Sequence, residues 1–223
     1  FVADDIVVSA LRASNCGFEV EWSDVFRQRF AGKPIKNACW SVDVDVDDGE
    51  APESSRAECV VTETGLEGGA IYALSASVRD ALELSPPAVR LVVDLQPDLT
   101  HDHVVSRLER RRPKESWSSV LKRDVGLSAV AIGLMREATA NQLPDDVNAL
   151  ARLIKATKIE VGGIESLERS ISTAGGVTRE SLDDSFMLTS RPGTFVVGEM
   201  LDWEAPTGGY LLHAALTTKW TFD

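Results

Sequence analysis

The residues best suited to ligand chemistry lie near the end of the sequence. Glu199 directly follows the apolar run 195–197 and Gly198. A carboxylate at the carboxyl end of a buried strand can accept hydrogen bonds from sugar or ribityl hydroxyls, because α/β sheets bind their ligands at that edge. Thr207-Gly208-Gly209-Tyr210 then predicts a turn that opens a helix, where free N–H groups favour an anion or an electron-rich ring edge. A plain turn before a capped helix is the alternative.

The histidines offer little for catalysis or metal binding. His101 and His103 begin a predicted helix and have no Cys or acidic partner at ligand spacing. His213 lies in the apolar C-terminal helix, where a packed histidine is more common than a base. We therefore predict no metal site and assign no catalytic residue.

Several familiar motifs fail on inspection. The acidic run 43–49 resembles a calcium loop, but Asp48 stands at the required glycine position and Ser54 at the twelfth. Neither G-x-S-x-G nor G-x-x-x-x-G-K-[ST] occurs, and no cysteine has the basic or helix-terminal setting of a reactive thiolate. No two glycines are separated by a single residue, so the dinucleotide fingerprint G-x-G-x-x-G is missing as well.

Composition excludes further classes of protein. The 223 residues contain 23 basic and 35 acidic side chains, for a formal charge of −12, which disfavours a nucleic-acid binder. No apolar stretch reaches the roughly 18 residues of a membrane span. Three widely spaced cysteines disfavour a disulfide framework and predict a cytoplasmic protein. The sequence begins at Phe1 without Met, so we expect a segment of a longer polypeptide.

Apolar periodicity and glycine or proline punctuation predict the elements that position these residues. Strands are predicted over 6–11, 35–46, 58–62, 89–95, 159–161, 171–177 and 195–199, with 35–46 and 58–62 forming a hairpin. Helices are predicted over 24–30, 70–84, about four pieces within 101–157, and 211–219. Predicted N-caps are Ser23, Ser116, Ser128 and Asp145. The order divides the chain into a β-rich domain (1–97), a helical subdomain (98–157), a return strand (158–167) and an α/β tail (168–223).

Three segments of the tail strongly resemble the C-terminal FAD-binding segment of a bacterial flavoprotein family. The segments are 173–177, 192–202 and 207–210. The family comprises the NAD(P)/FAD-dependent oxidoreductases that include aminoacetone oxidase. Segments 14–18, 30–36 and 65–75 resemble the inserted domain of the same family, so the resemblance covers nearly the whole chain.

The resemblance implies an α+β or α/β fold and FAD as cofactor. A barrel-like β-rich insertion with a helical subdomain would precede the C-terminal part of a Rossmann-like FAD domain. Glu199 would contact the ribityl chain, Asp202 would lie near it, the backbone of 208–211 would face the isoalloxazine edge, and a glycine pair would let the chain pass close to the cofactor. The implied cofactor-binding set is Gly175, Gly176, Gly198, Glu199, Asp202, Thr207, Gly208, Gly209, Tyr210 and Leu211.

The insertion departs from the family where a helix begins. Thr62-Glu63 and Glu67-Gly68-Gly69 stand where the wider family commonly has Thr-His and Ser-Gly-Pro, so no histidine role is carried over. Substrate contact is placed around Lys36, Glu63 and Tyr72. Surface charges for the first two and a packing aromatic for Tyr72 are the favoured alternatives.

These observations predict part of an FAD-dependent oxidoreductase that transfers hydride on a small organic substrate. The missing N-terminal half of the FAD domain, or another chain, would complete it. Because that half carries the pyrophosphate and adenosine contacts of the family, the sequence leaves open whether this chain alone retains FAD. The alternative is a non-catalytic insertion fragment that self-associates or binds a partner through the exposed apolar strand 195–197. Nucleic-acid and membrane partners are not expected.

Overall fold

The computed structural model describes residues 5–43, 53–84 and 89–219. The fold is mixed α+β, and the chain forms two compact units. The larger unit is Gly17–Ile164, and the smaller unit combines Phe1–Cys16 with Glu165–Asp223. The domain boundaries predicted from the sequence stay predictions, because compactness alone does not define where a domain ends.

The described residues contain eleven strands and eight α-helices. The strands are β1 (Val8–Ser14), β2 (Phe18–Glu19), β3 (Pro34–Ile35), β4 (Cys39–Asp43), β5 (Ser54–Ser55), β6 (Cys59–Val61), β7 (Gly65–Glu67), β8 (Val89–Asp94), β9 (Thr157–Val161), β10 (Gly163–Ile164) and β11 (Ser172–Val177). The helices are α1 (Asp24–Phe30), α2 (Gly69–Tyr72), α3 (Ser75–Leu84), α4 (His101–Leu108), α5 (Trp117–Val120), α6 (Ala129–Ala138), α7 (Val147–Lys155) and α8 (Tyr210–Lys219). A π-helical turn, Leu121–Val125, continues α5.

The larger unit is built on two antiparallel sheets. One has the strand order β10-β2-β7-β6-β3 and the other β5-β4-β8-β9. The chain crosses between them four times: from β3 to β4 at residues 36–38, from β5 to β6 at residues 56–58, from β7 to β8, and from β9 to β10 at Gly162. Neither sheet closes on itself within the described residues, so two open sheets joined by these crossings replace the barrel-like arrangement that we expected.

The first crossing explains why the predicted strand 35–46 is wrong as one element. Asn37 has a φ of +54°, a left-handed conformation that ends β3 before β4 begins. Only β3 therefore makes the predicted hairpin, through Ile35 opposite Cys59. β4 pairs instead with β5 and β8. Val42 is buried and Asp43 exposed, as the alternation predicts, and residues 44–46 lie outside the described residues.

The core of the larger unit lies between sheet and helices. Trp40 of β4 and Leu91 of β8 are fully buried, and so are Leu134 of α6 and Leu150 of α7. Each such side chain contributes about 1.5–3 kcal/mol through removal from water. The spacing of the apolar positions in α6 and α7 is therefore what docks the helical segment onto the sheets.

Three of the four predicted helix N-caps are confirmed. The hydroxyls of Ser23, Ser116 and Ser128 each accept from the backbone N–H three residues later, at 3.2–3.3 Å. The prediction at Asp145 is wrong. Asp146 caps α7 at 2.7 Å, whereas the Asp145 carboxylate accepts from a tryptophan indole at 3.2 Å. Either of the two adjacent aspartates could cap α7 on local grounds. Because the Trp117 indole binds Asp145, Asp146 is the one that caps the helix.

The smaller unit contains a two-stranded antiparallel sheet, β1 with β11, running from Val8 opposite Val177 to Ser14 opposite Ser172. The register shifts between Ser9 and Arg12. A separate small core gathers residues that follow β11 in the chain: Leu182, Leu188, Val196 and Leu201. The predicted strand 6–11 is therefore present but lies two or three residues later.

The predicted buried strand 195–199 is wrong. Val196 is buried, but Phe195 is 45% exposed and forms an isolated bridge with Met187, outside any strand of the described residues. Gly198 has a φ of +64° and begins a 3₁₀ turn, Gly198–Met200. The left-handed glycine turns the chain before a strand can extend through Glu199. The predicted C-terminal helix is confirmed as α8.

The close approach of β7 to β2 gives a stability prediction. A Cβ on Gly65 would lie 1.8 Å from the Phe18 carbonyl oxygen, whereas a Cβ on Gly162 would have no heavy atom within 4 Å. We expect Gly65→Ala to lower the free energy of unfolding by about 2–4 kcal/mol, because backbone must move. Gly162→Ala is the matched control and should change it by less than about 0.5 kcal/mol. Urea unfolding followed by tryptophan fluorescence measures both, and equal stabilities of the two variants would contradict the prediction.

Candidate functional site

All ten predicted cofactor-binding residues lie in the smaller unit. Two of them, Gly175 and Gly176 of β11, allow close contact between backbone segments. A Cβ on Gly175 would lie 2.2 Å from the Ala10 carbonyl oxygen, and one on Gly176 would lie 2.6 Å from the Met200 carbonyl oxygen. Their φ angles, +93° and +138°, also favour glycine. Both glycines thus let β11 approach backbone of its own unit, and their approach to a cofactor stays a prediction.

Asp202 is held beside this glycine pair. Its backbone N–H donates to the Val177 carbonyl at 2.9 Å, next to a parallel bridge between Val177 and Leu201. The Ser9 hydroxyl donates to its carboxylate at 2.6 Å. The structure therefore brings Gly175, Gly176 and Asp202 together at one end of the β1–β11 sheet.

Gly198 and Glu199 form a turn against the later part of α8. The Gly198 N–H donates to the Thr218 hydroxyl at 3.2 Å, and the Gly198 carbonyl accepts from the Trp203 indole at 3.2 Å. Glu199 is exposed. Its carboxylate has no hydrogen bond or ion pair to any described residue, so it is available to accept hydrogen bonds from a ligand.

The start of α8 is open. Gly208 and Gly209 have φ angles of +125° and +89°, and a Cβ on Gly209 would have no heavy atom within 4 Å. Thr207 is exposed, Tyr210 is 60% exposed and Leu211 is half-buried. No acidic residue occupies the first turn. The positive end of the helix therefore faces solvent, with its first N–H groups available.

The turn at Gly198 and the start of α8 are separated along the helix. Gly198 contacts Thr218, eight residues after Tyr210, which corresponds to about 12 Å of helical rise. The predicted residues thus form two groups, one around Gly198 with Asp202 and one at 207–211, and do not form one tight cluster.

The weaker sequence candidates lie elsewhere. His213 is exposed on α8, so it is not the packed histidine that we favoured. The Lys36 ammonium lies 3.3 Å from the Glu58 carboxylate on the surface, and Tyr72 is half-buried in α2. Only Glu63 of the proposed substrate contacts lines a large cavity. His101 is the first residue of α4, which Thr100 caps, and its Nδ1 lies 3.3 Å from the Asp102 carboxylate. No metal-binding group of three or more His, Cys, Asp or Glu is present within the described ranges.

That cavity, which we call the basin, is a feature that sequence reasoning missed. It has a volume of about 1230 Å³ and lies in the larger unit around β2, β9 and the start of α1. Its charged lining residues are Glu19, Glu21, Arg27, Glu63, Arg90, Glu137, Lys158 and Glu160. Arg90 pairs with Glu160 across two strands at 3.8 Å. These residues come from distant parts of the chain, and only the alternating charges of β9 gave any local signal.

Comparison with known families places the chain. A family model described as "HI0933-like protein barrel and H2TH domain" matches residues 12–172. The chain belongs to the HI0933-like flavoprotein family. This family lies within the NAD(P)/FAD-dependent oxidoreductase superfamily, and the chain is consistent with part of a flavoprotein oxidoreductase.

The HI0933-like match spans the whole larger unit, Gly17–Ile164, together with the end of β1. It stops before Gly175, so none of the ten predicted cofactor-binding residues lies within it. The family assignment and the proposed flavin contacts therefore rest on different parts of the chain. No helix within the described part is long and apolar enough to cross a membrane.

The three free cysteines give a reactivity prediction. Burial raises the pKa of the Cys59 thiol, with the nearby Glu58 carboxylate adding to the effect, so Cys59 stays protonated at neutral pH. Cys39 is half-exposed. We expect a disulfide reagent such as DTNB to modify Cys39 at least about tenfold faster than Cys59 in the native protein. Peptide mapping after timed labelling measures this, Cys39→Ser should remove the fast phase, and equal labelling of both would contradict it.

Proposed function

We propose that this chain is part of an FAD-dependent oxidoreductase. The larger unit would be the substrate-side domain, and the smaller unit would supply flavin contacts for hydride transfer on a small organic substrate. The observation that carries the proposal is the HI0933-like match over residues 12–172. An aminoacetone oxidase-like substrate and the Rossmann-like character of the smaller unit belong to the same proposal.

Two features of the smaller unit fit a flavin. The Glu199 carboxylate is exposed and unpaired among the described residues, so it can accept from ribityl hydroxyls. The open start of α8 presents backbone N–H groups that can donate to the oxygen and nitrogen edge of the isoalloxazine ring. The Gly198 turn and the start of α8 are about 12 Å apart along the helix. An extended ligand could therefore contact Glu199 with its ribityl chain and the start of α8 with its ring.

Three other predicted residues, Asp202, Gly175 and Gly176, would help to position the cofactor. Asp202 is fixed by Ser9 and by the Val177 carbonyl, which orients its second carboxylate oxygen. Gly176 allows the backbone of residues 200–201, next to Asp202, to approach β11, and Gly175 allows the close approach of β1. FAD would supply the hydride acceptor or donor when bound, whereas this chain would orient it and set the charge around it.

Flavin titration tests the proposal on the chain itself. Because the proposed contacts reach only the ring and ribityl chain, we expect riboflavin and FAD to bind with affinities within about threefold of each other, and ADP not to compete. We expect Glu199→Gln to weaken both by about fivefold to tenfold through loss of charge-assisted hydrogen bonds. Quenching of flavin fluorescence measures the affinities.

The matched control for that titration is Glu168→Gln, which neutralises another exposed carboxylate of the smaller unit. It should leave flavin binding unchanged. Equal effects of the two substitutions, or no quenching by the unsubstituted chain, would count against the proposed contacts. The family assignment would stand in either case.

One observation favours a second role, association with another chain. The smaller unit exposes many large apolar side chains: Val7, Val8, Leu11, Ile171, Phe195, Met200, Tyr210, Leu212 and Leu216. Exposed apolar surface on this scale is typical of interaction surfaces. We propose that the N-terminal half of an FAD domain, another chain or a second copy covers it.

Sedimentation velocity over a concentration series tests the second copy. We expect the mass to rise with concentration, and Leu212→Asp to weaken association at least about tenfold, because Leu212 is 67% exposed on α8. Leu84→Asp, on the larger unit, is the matched control and should have no effect. A monomer at every concentration would exclude self-association and leave cover by a different chain.

A further inference from the structure

A second large cavity lies between α1, α6 and the segment formed by α5 and its π-helical turn. Its volume is about 1000 Å³. We call it the helix groove, and the lining residues that matter most are Phe26, Arg29, Phe30, Lys122, Ile132 and Arg136. All of them belong to the larger unit, so the groove is complete within one compact body.

The floor of the helix groove is apolar. Phe26 and Phe30 of α1 face Ile132 of α6, and all three are buried. Gly133 permits this contact, because a Cβ there would lie 2.3 Å from the Phe30 ring. Val25 adds an exposed apolar edge, with 73% of its surface accessible. The groove can therefore accept an aliphatic or aromatic body and remove it from water.

The rim of the groove is basic. Arg136 is held in place because its guanidinium donates to Asn141 Oδ1 at 2.7 Å and to Ser118 Oγ at 3.0 Å. Lys122 is exposed, and its ammonium has no ion-pair or hydrogen-bond partner among the described residues. Arg29 lies over the Phe30 ring, 5.3 Å from its centroid. Three cations thus surround an apolar floor in a protein whose formal charge is −12.

The acidic residues of the groove do not cancel this charge. Glu137 is occupied, because its two carboxylate oxygens accept from the Ser23 backbone N–H at 2.5 Å and from the Ser23 hydroxyl at 2.8 Å. Glu21 is the remaining carboxylate of the lining. Glu137 keeps its negative charge, because both of its donors are neutral groups of Ser23. Two carboxylates against three cations therefore leave a small excess of positive charge at the rim, which favours a negatively charged head group.

We propose that the helix groove binds a small amphiphilic anion, an apolar chain or ring that ends in a carboxylate. The apolar body lies on Phe26, Phe30 and Ile132, and the carboxylate meets Lys122 and Arg136. The inference uses only the larger unit and does not depend on flavin binding, so its outcome and that of the flavin titration are separable.

Isothermal titration calorimetry with decanoate as the probe tests where the body binds. We expect one decanoate per chain. Ala129→Phe, at an exposed position of the lining, should fill the groove and abolish this binding. Ala138→Phe places the same side chain at an exposed position of the same helix outside the groove and should leave binding intact. Equal loss in both variants, or no binding to the unsubstituted chain, would overturn the proposal.

Charge is tested separately, so that the proposal survives a folding defect in either phenylalanine variant. Lys122→Gln should weaken decanoate binding by about fivefold, whereas Lys33→Gln, an exposed lysine outside the groove, should not. Decyltrimethylammonium, which carries the same chain with a cationic head, should bind at least about tenfold more weakly than decanoate. Binding that ignores the sign of the head group would show adventitious apolar adsorption and overturn the proposal.

Discussion

The pairing of β1 with β11 is the constraint on which the rest of the structure depends. It joins residues near the start of the chain to residues more than 150 positions later, and the whole larger unit, Gly17–Ile164, lies between the two paired strands. Asn15 secures the point where the chain leaves. Its side-chain amide donates to Ser172 Oγ at 2.6 Å and to the Ala205 carbonyl at 2.8 Å. Its φ of +50° is one that asparagine tolerates better than most residues, so geometry and hydrogen bonding select the same side chain.

The larger unit contains several very short strands, which lie next to the points where the chain crosses from one sheet to the other. β2, β3, β5 and β10 have only two residues each, too few to be stable as isolated pairs. Because the chain changes sheet next to β3, β5 and β10, each of these three adjoins a longer strand in the sequence and also has a partner in its own sheet. The helices then cover both sheets, and their packing leaves the basin and the helix groove at the margins of α1. The helix groove thus depends on the close packing of α1 against α6. Gly133 allows this packing, because a Cβ there would clash with the Phe30 ring.

Local signals predicted three helix starts and several strands, including 89–95 and 171–177, but they did not predict where strands are interrupted. Ser23, Ser116 and Ser128 each satisfy an N–H three residues away, so a short window of sequence contains the whole interaction. A strand depends on a distant partner, and a single residue with positive φ ends it: Asn37 divides the predicted strand 35–46, and Gly198 turns the chain inside the predicted strand 195–199. The candidate site divides in the same way. The exposure of Glu199 and the open start of α8 follow from adjacent residues, whereas the contact of Gly176 with Met200 and the charged linings of both cavities depend on tertiary placement.

The proposed flavin role gains from the independence of its two supports. The HI0933-like match ends at residue 172, and the residues proposed to contact a flavin begin at 175, so the two supports lie in different parts of the chain. A fold assignment alone does not locate a site, and an exposed carboxylate beside an open helix start is common among proteins that bind no flavin. What links them is β11. This strand pairs with β1, which Gly175 approaches closely, and its Gly176 and Val177 contact residues 200–202, which include Asp202. A change that loosens β1 from β11 would therefore disturb the return of the chain and the proposed cofactor contacts together.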